Sequence, residues 1–392
     1  MSLDLTNVAA QVLAMISGLK NRRSEQQDHL DFALKTLVSP PIDLEALKKK
    51  IKAGKTTFLV AGMEDGLNER HQLPEGPADF TVLAADGSHI DIDRHHSTRC
   101  FLINIGAVTL TYGVKPEAGL TSTPRLYSEE KDMVITAPNG REQPIEGNIL
   151  GARRSVEECA KLAELAGAWA GKPALALLDG TLILWGLEPY PDFVTDVLLH
   201  DGILKHLESI KKNNIALASY ISYPRSTDVV NVLRVAVCPN GVPNCDEYCP
   251  PGTARGCKRL DTVRDRDLFM NLLGNGERSA LFTSPSKIVK EHYGQHAVYF
   301  FYLKNEDEVA RVEVPQWVAL DDKLLALTHC LVYDQCRRGH GYPVALSEAH
   351  EQAVVTGADR EYFWNLVEDS LTTEHMDSGS SRKSVSKRTR FI

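Results

Sequence analysis

Two aspartates of this chain stand in the same kind of setting. Asp179 closes the run Ala174-Leu175-Ala176-Leu177-Leu178 and is followed by Gly180-Thr181. Asp86 closes Phe80-Thr81-Val82-Leu83-Ala84-Ala85 and is followed by Gly87-Ser88. An unbroken apolar run opened by Pro173 and closed by Gly180 predicts a strand buried on both faces. A carboxylate at the carboxyl end of such a strand lies where open α/β sheets place their ligands. Two carboxylates gathered at one sheet edge repel unless a cation sits between them, so divalent-metal chemistry is the expectation.

Other residues could join them. Glu157 and Glu158 follow Arg153 and Arg154 by one helical turn, which suits either surface ion pairs or a third metal carboxylate. Asp91, Asp93, His95 and His96 form a polar cluster whose spacing fixes no coordination geometry, so it reads as a turn. Cys238, Cys245, Cys249 and Cys257 lie among prolines and glycines in the pattern C-x6-C-x3-C-x7-C, which matches no common zinc module. A structural Zn²⁺ site and unligated loop cysteines are both open readings, as are an iron–sulfur cluster and disulfides.

The elements that must position these groups follow from pattern. Val8, Val12, Leu13, Ile16 and Leu19 predict an amphipathic helix, a second is expected near His29–Leu37, and Asp43 looks like the N-cap of a third over Leu44–Ile51. These make residues 1–57 a helical region whose default role is packing. From Thr57 to Val114 the pattern is β, with strand Thr81–Ala85 delivering Asp86, and residues 115–147 read as loops and a hairpin at Asn139-Gly140. A helix over 147–171, the Asp179 strand, a helix near Phe193–Lys211, a strand Ile215–Tyr220 and a helix over 226–237 give the alternation of parallel strands with crossover helices. Further helices are expected at 264–273, 320–337 and 359–371, with a hairpin over 297–314.

Composition sets limits. A chain of 392 residues, 43% hydrophobic and 24% charged, is that of a globular protein, and no apolar run reaches the ~20 residues of a membrane span. Its amino terminus lacks a signal-like apolar core, so a cytoplasmic location and no membrane are expected. A net charge of −8 argues against a basic coat for nucleic acid but not against a local basic groove. Residues 375–392 form a basic tail with Arg382, Lys383, Lys387, Arg388 and Arg390, suited to solvent or to phosphates.

Strand-Asp86-Gly87-Ser88, an Arg/Glu helix, strand-Asp179-Gly180-Thr181 and Tyr342-Pro343 with His350 occur in that order. The ordered set resembles the NurA family of DNA double-strand break repair nucleases. The resemblance implies an α/β, RNase H-like mixed sheet flanked by helices over residues 58–374, with extra helices at both ends and the 238–257 Cys-rich insertion outside the common pattern. It implies metal carboxylates at Asp86, Glu158 (or Glu157) and Asp179, and catalytic roles for Tyr342 and His350, the latter also as a metal ligand. The cofactor implied is Mn²⁺ or Mg²⁺, a pair of ions ~4 Å apart serving phosphodiester hydrolysis. The activity implied is 5′→3′ exonuclease, with single-strand endonuclease action, in DNA end resection. The partners implied are DNA, a second copy in a homodimer, and a HerA-type hexameric ATPase; Arg225, Arg337 and Arg338 are candidates to line the DNA path. The chain carries no G-x-x-x-x-G-K-[ST] loop, so ATP-driven movement must come from a partner. The rival readings are a non-catalytic adaptor on the same scaffold, and RNA as substrate.

Overall fold

A computed structural model describes residues 4–38, 43–93, 98–250, 252–253 and 255–376. His95, His96 and the cations expected in the basic tail lie outside these residues. Contacts divide the chain into two compact units: Met1–Leu73 with Ser222–Ser286 and Tyr299–Arg311, and Pro74–Ile221 with Lys287–Val298 and Val312–Ile392. Neither is one unbroken run of sequence.

The second unit is built on a mixed sheet. Strands β1 (Phe80–Ile90), β2 (Phe101–Tyr112) and β3 (Glu117–Tyr127) pair in antiparallel succession. Helix α1 (Asn148–Gly167) leads into β4 (Ala174–Asp179), which lies parallel to β1. Strand β5 (Ala216–Ile221) then pairs parallel with the other edge of β4. Residues Ala174 to Leu178 are all buried, as their unbroken apolar run requires of a strand covered on both faces. Helix α2 (Asp322–Arg338) precedes α3 (Val344–Ala353), which packs on β1 and β2, and a last helix covers Gly357–Thr373.

Side-chain alternation assigns the faces. Leu83, Ala85, Ile103, Ile105, Ala176 and Leu178 share one core with Ile149, Cys159 and Leu162 of α1. The intervening positions, Asp86, Ser88, Asn104, Gly106 and Asp179, therefore face the side on which α3 lies.

Two expectations need correction here. Asp86 does not end its strand, because β1 continues to Ile90 with β2 paired alongside up to Ile90↔Leu102. Within 115–147, expected to be loops and a hairpin, residues Glu117–Tyr127 form strand β3, solvent-exposed at every position but Tyr127 and carrying Pro124. An edge strand with polar side chains shows no apolar alternation, and proline is tolerated there. The Asn139-Gly140 hairpin forms as expected between Val134–Thr136 and Glu142–Pro144.

In the first unit, the two helices expected before residue 38 are one, Leu5–Val38. The polar stretch between them is a solvated helix face, with pairs such as Gln27 Nε2 to Asp31 Oδ1 at 2.9 Å, rather than a break. Its amino-terminal apolar stripe is exposed, Val12, Leu13, Ile16 and Leu19 included, so the packing expected of it is absent within the described unit. Asp43 caps the next helix, Leu44–Ala53, accepting from Ala46 N at 3.0 Å. Among the described residues no helix is long and apolar enough to cross a membrane.

Candidate active site

The parallel pairing of β1 and β4 runs in register through Ala85↔Leu178. The next residue on each strand is Asp86 and Asp179, so the two carboxylates stand side by side on the face that α3 covers. Each is held by one residue from the α2–α3 region. Tyr342, just before Pro343 starts α3, donates its hydroxyl to Asp179 Oδ1 at 2.9 Å. His350, in the second half of α3, places Nδ1 2.8 Å from Asp86 Oδ2. The Tyr342 ring also meets the edge of Tyr220 on β5, with centroids 5.5 Å apart and planes at 84°.

Several residues that sequence reasoning missed fix α3 in place. Gly106 pairs with Asp86 across the β1–β2 ladder, and a Cβ there would stand 2.2 Å from the Ala349 carbonyl oxygen. Only glycine lets the helix come this close. Ser88 Oγ and Asn104 Nδ2 donate to the Ala353 carbonyl, satisfying an acceptor that the helix end leaves open. At the other end, buried Gln335 accepts from the Ala345 N–H. These contacts are long-range; a glycine and two amides in the sequence carry no signal for them.

Glu158 reaches the site from the opposite face of β1. Gly87 provides the room, since a Cβ at that position would be 2.7 Å from Glu158 Oε1. The Arg154 guanidinium lies 2.9 Å from the same oxygen, yet the two are not aligned for a hydrogen bond, and both buried atoms lack a hydrogen-bond partner. Glu157 points elsewhere, accepting from the Tyr127 hydroxyl and from Arg153 Nε at 3.0 Å.

Burial pushes the Glu158 carboxyl up to about 7; Arg154 opposes the rise, and the charges of Asp86 and Asp179 add to it. Burial likewise raises Asp179, against the hydrogen bond from Tyr342, with Asp86 again adding to the rise. The Tyr342 hydroxyl is raised by burial and then by Asp179, so it remains a donor. The charge of Asp86 thus disfavours the ionised form of both Glu158 and Asp179.

Among the described residues, no three His, Cys, Asp or Glu groups are arranged to hold an ion as they stand. The donor set nevertheless fits a hard divalent cation. Its acceptors are carboxylate oxygens whose charges repel, and the cation beside Glu158, Arg154, leaves its carboxyl still raised.

Residues 80–355 match the family model described as the NurA domain. The chain belongs to the NurA family. Asp86, Glu158, Asp179, Tyr342 and His350 all fall inside that match. Among solved structures, NurA with manganese aligns at 11% identity, covering 92% of this chain and 98% of that chain, with a TM-score of 0.40. NurA bound to dAMP and manganese aligns at 13% identity, covering 93% and 97%, with a TM-score of 0.39. No curated protein sequence matches the chain.

Proposed function

We propose that this NurA-family chain is a metal-dependent deoxyribonuclease whose catalytic residues are Asp86, Glu158, Asp179, Tyr342 and His350. The observation that carries the reading is the in-register pair Asp86 and Asp179, each bonded to one residue of the Tyr342–His350 segment. A scaffold that only clamped DNA would gain nothing from holding repelling acids together. Solved NurA structures contain manganese and dAMP, ligands of this chemistry.

Asp86, Glu158 and Asp179, with His350 at their edge, would hold Mn²⁺ or Mg²⁺ after side-chain rotation. Bound there, such an ion would offset phosphate charge and lower the pKa of an attacking water. The chain's own residues supply orientation and proton movement. A carboxylate at Asp86 would accept this bond from His350 Nδ1, leaving Nε2 as the ring nitrogen that faces away from Asp86. Its side chain is 62% exposed, against 18% for Asp86, so that nitrogen is open to substrate and water for general acid–base work. Tyr342 fixes the Asp179 carboxylate through its hydroxyl.

The finer assignment is 5′→3′ exonuclease and single-strand endonuclease action in end resection, by a cytoplasmic homodimer working with a HerA-type ATPase. The test is degradation of linear single- and double-stranded DNA in Mn²⁺ or Mg²⁺ by wild type, Asp86→Ala and Asp179→Ala. Wild type should degrade DNA and both variants should lose activity. Equal degradation by all three refutes the site; none by wild type favours the adaptor. A matched RNA substrate decides the nucleic acid, and end-labelled DNA the polarity.

A further inference from the structure

The segment from Cys238 to Cys257 plays no part in the carboxylate site. It belongs to the first unit and is rich in proline and glycine. Among its described residues after Cys238, Pro243 alone is buried. Ordering some twenty residues costs on the order of 1–2 kcal/mol each in backbone entropy, and this segment has almost no apolar burial to offset that. Backbone contacts hold its base, with Lys55 N donating to Pro243 O at 2.7 Å and Cys245 N to Lys55 O at 2.9 Å, and the side-chain pairs Lys55–Asp246 and Arg255–Asp261, each at 2.8 Å, add to them. A cross-link that closes such a loop would stabilise it by reducing the entropy of the unfolded chain.

The cysteines are placed to supply it. All four are half-buried free thiols, while most of their neighbours face solvent. A single helical turn, Cys245–Tyr248, sets Cys245 and Cys249 four residues apart on one side, with Cys249 N donating to Cys245 O at 3.1 Å. Cys249 lies within electrostatic reach of Cys245, Cys257 and Cys238 alike. Cys245, Cys249 and Cys257 line one cavity, and Arg234, Arg255 and Lys258 line it with them. The sulfurs do not surround a common point as they stand, so closing the set takes rotation about χ1.

We propose that Cys238, Cys245, Cys249 and Cys257 form a structural tetrathiolate site for a thiophilic metal, of the class that takes Zn²⁺. Four thiolates suit a tetrahedral soft-metal site and are the wrong donors for Mg²⁺ or Mn²⁺, so it is chemically separate from the carboxylate centre. Four thiolates around a divalent ion leave a net charge of −2; Arg234, Arg255 and Lys258 lie on the cavity wall near it, with Asp246 also on the wall and Asp261 paired to both arginines. Binding releases the thiol protons and adds its free energy to the stability of the first unit.

The test is metal and acid-labile sulfide analysis of the full-length protein grown with zinc and iron and purified without chelator. About one zinc per chain without sulfide is expected, as tight structural sites fill nearly completely. Iron with matching sulfide also supports the tetrathiolate site and makes its occupant an iron–sulfur cluster. The metal should fall at least about fivefold in Cys245→Ser/Cys249→Ser and persist in Asp86→Ala/Asp179→Ala. Should the cysteine variant fail to fold, wild type stripped by chelation and refilled with Co²⁺ is read by absorption. Thiolate-to-cobalt bands in the near ultraviolet and strong ligand-field bands in the red are expected. Neither zinc nor iron in wild type, metal retained by the cysteine variant, two disulfides by thiol counting, or cobalt spectra without those bands would each overturn the proposal.

Discussion

Gly106 sits directly across the β1–β2 ladder from Asp86, and the space its missing side chain leaves is filled by the backbone of α3. The nearest atoms are the Ala349 carbonyl at 2.2 Å and the Ala353 nitrogen at 2.5 Å from a would-be Cβ. Backbone cannot swing aside as a side chain would. Gly106→Ala is therefore expected to push α3 off the sheet and carry His350 away from Asp86. The stability cost should be about 1–3 kcal/mol, typical of overpacking, with activity falling ~100-fold from a displacement near 1 Å. Thermal melts and DNA degradation rates measured together check this; an unchanged rate would mean that α3 is positioned by something else.

That relationship marks the border of what the sequence makes legible. Asp179 could be found because a strand buried on both faces must be apolar throughout, so the carboxylate that ends it stands out. Asp86 was found by likeness to Asp179, although its strand runs on past it. Gly106, Asn104 and Gln335 stayed hidden because each acts on α3 across a large sequence separation. Glu157 and Glu158 are adjacent in sequence, and only packing separates them: one turns to Tyr127 on β3, the other into the gap at Gly87. Strand β3 escaped because an exposed edge strand has no apolar period. The Cys-rich segment showed four closely spaced cysteines but not that three of them line one cavity.

Arg154 occupies the place a cation would take beside Glu158, at 2.9 Å from Oε1. Removing it as Arg154→Met leaves a buried carboxylate with one fewer counter-charge. We expect a loss of roughly 1–3 kcal/mol in stability, below the cost for a fully buried pair because the arginine is a third exposed. Added Mn²⁺ should then raise the melting temperature more in the variant than in wild type, since the ion takes over the missing role. Equal Mn²⁺ shifts in the two proteins would show that Arg154 and the metal do not compete.

Tyr342→Phe removes the hydroxyl bonded to Asp179 but keeps the ring against Tyr220. The fold should hold. The lost charge-assisted hydrogen bond, about 1.5–3 kcal/mol, predicts roughly a 10–100-fold drop in kcat with little change in KM if it acts on the reacting carboxylate. A rise in KM at constant kcat would instead assign Tyr342 to DNA binding.

Gly87→Ala sets a Cβ 2.7 Å from Glu158 Oε1 and 2.9 Å from the Arg154 side chain. Glu158 must retreat towards α1, so Mn²⁺ affinity should fall about tenfold, whereas β1 and its pairing persist. Isothermal titration with Mn²⁺ reads this directly, and an unchanged affinity would remove Glu158 from the ligand set.

Away from the site, Asp265 gives the first unit a pH dependence of unusual sign. Its buried carboxylate accepts from Val230 N at 2.8 Å, Val229 N at 3.2 Å and the Tyr302 hydroxyl at 2.7 Å, thereby capping the helix Asp228–Ala236. Burial still wins, and with Asp228 nearby it pushes the carboxyl up to about 6. Because the folded form holds its proton more tightly than the unfolded chain does, Asp265 favours folding most below about pH 4. That contribution shrinks as the pH rises towards 6 and is constant above. Asp265→Asn cannot ionise; it misplaces one donor against Val229, but that cost does not vary with pH. The stability of the Asn variant relative to wild type should therefore climb by about 1–3 kcal/mol between pH 4 and 6.5 in urea unfolding. Parallel stability curves would mean that the backbone N–H groups hold Asp265 ionised throughout.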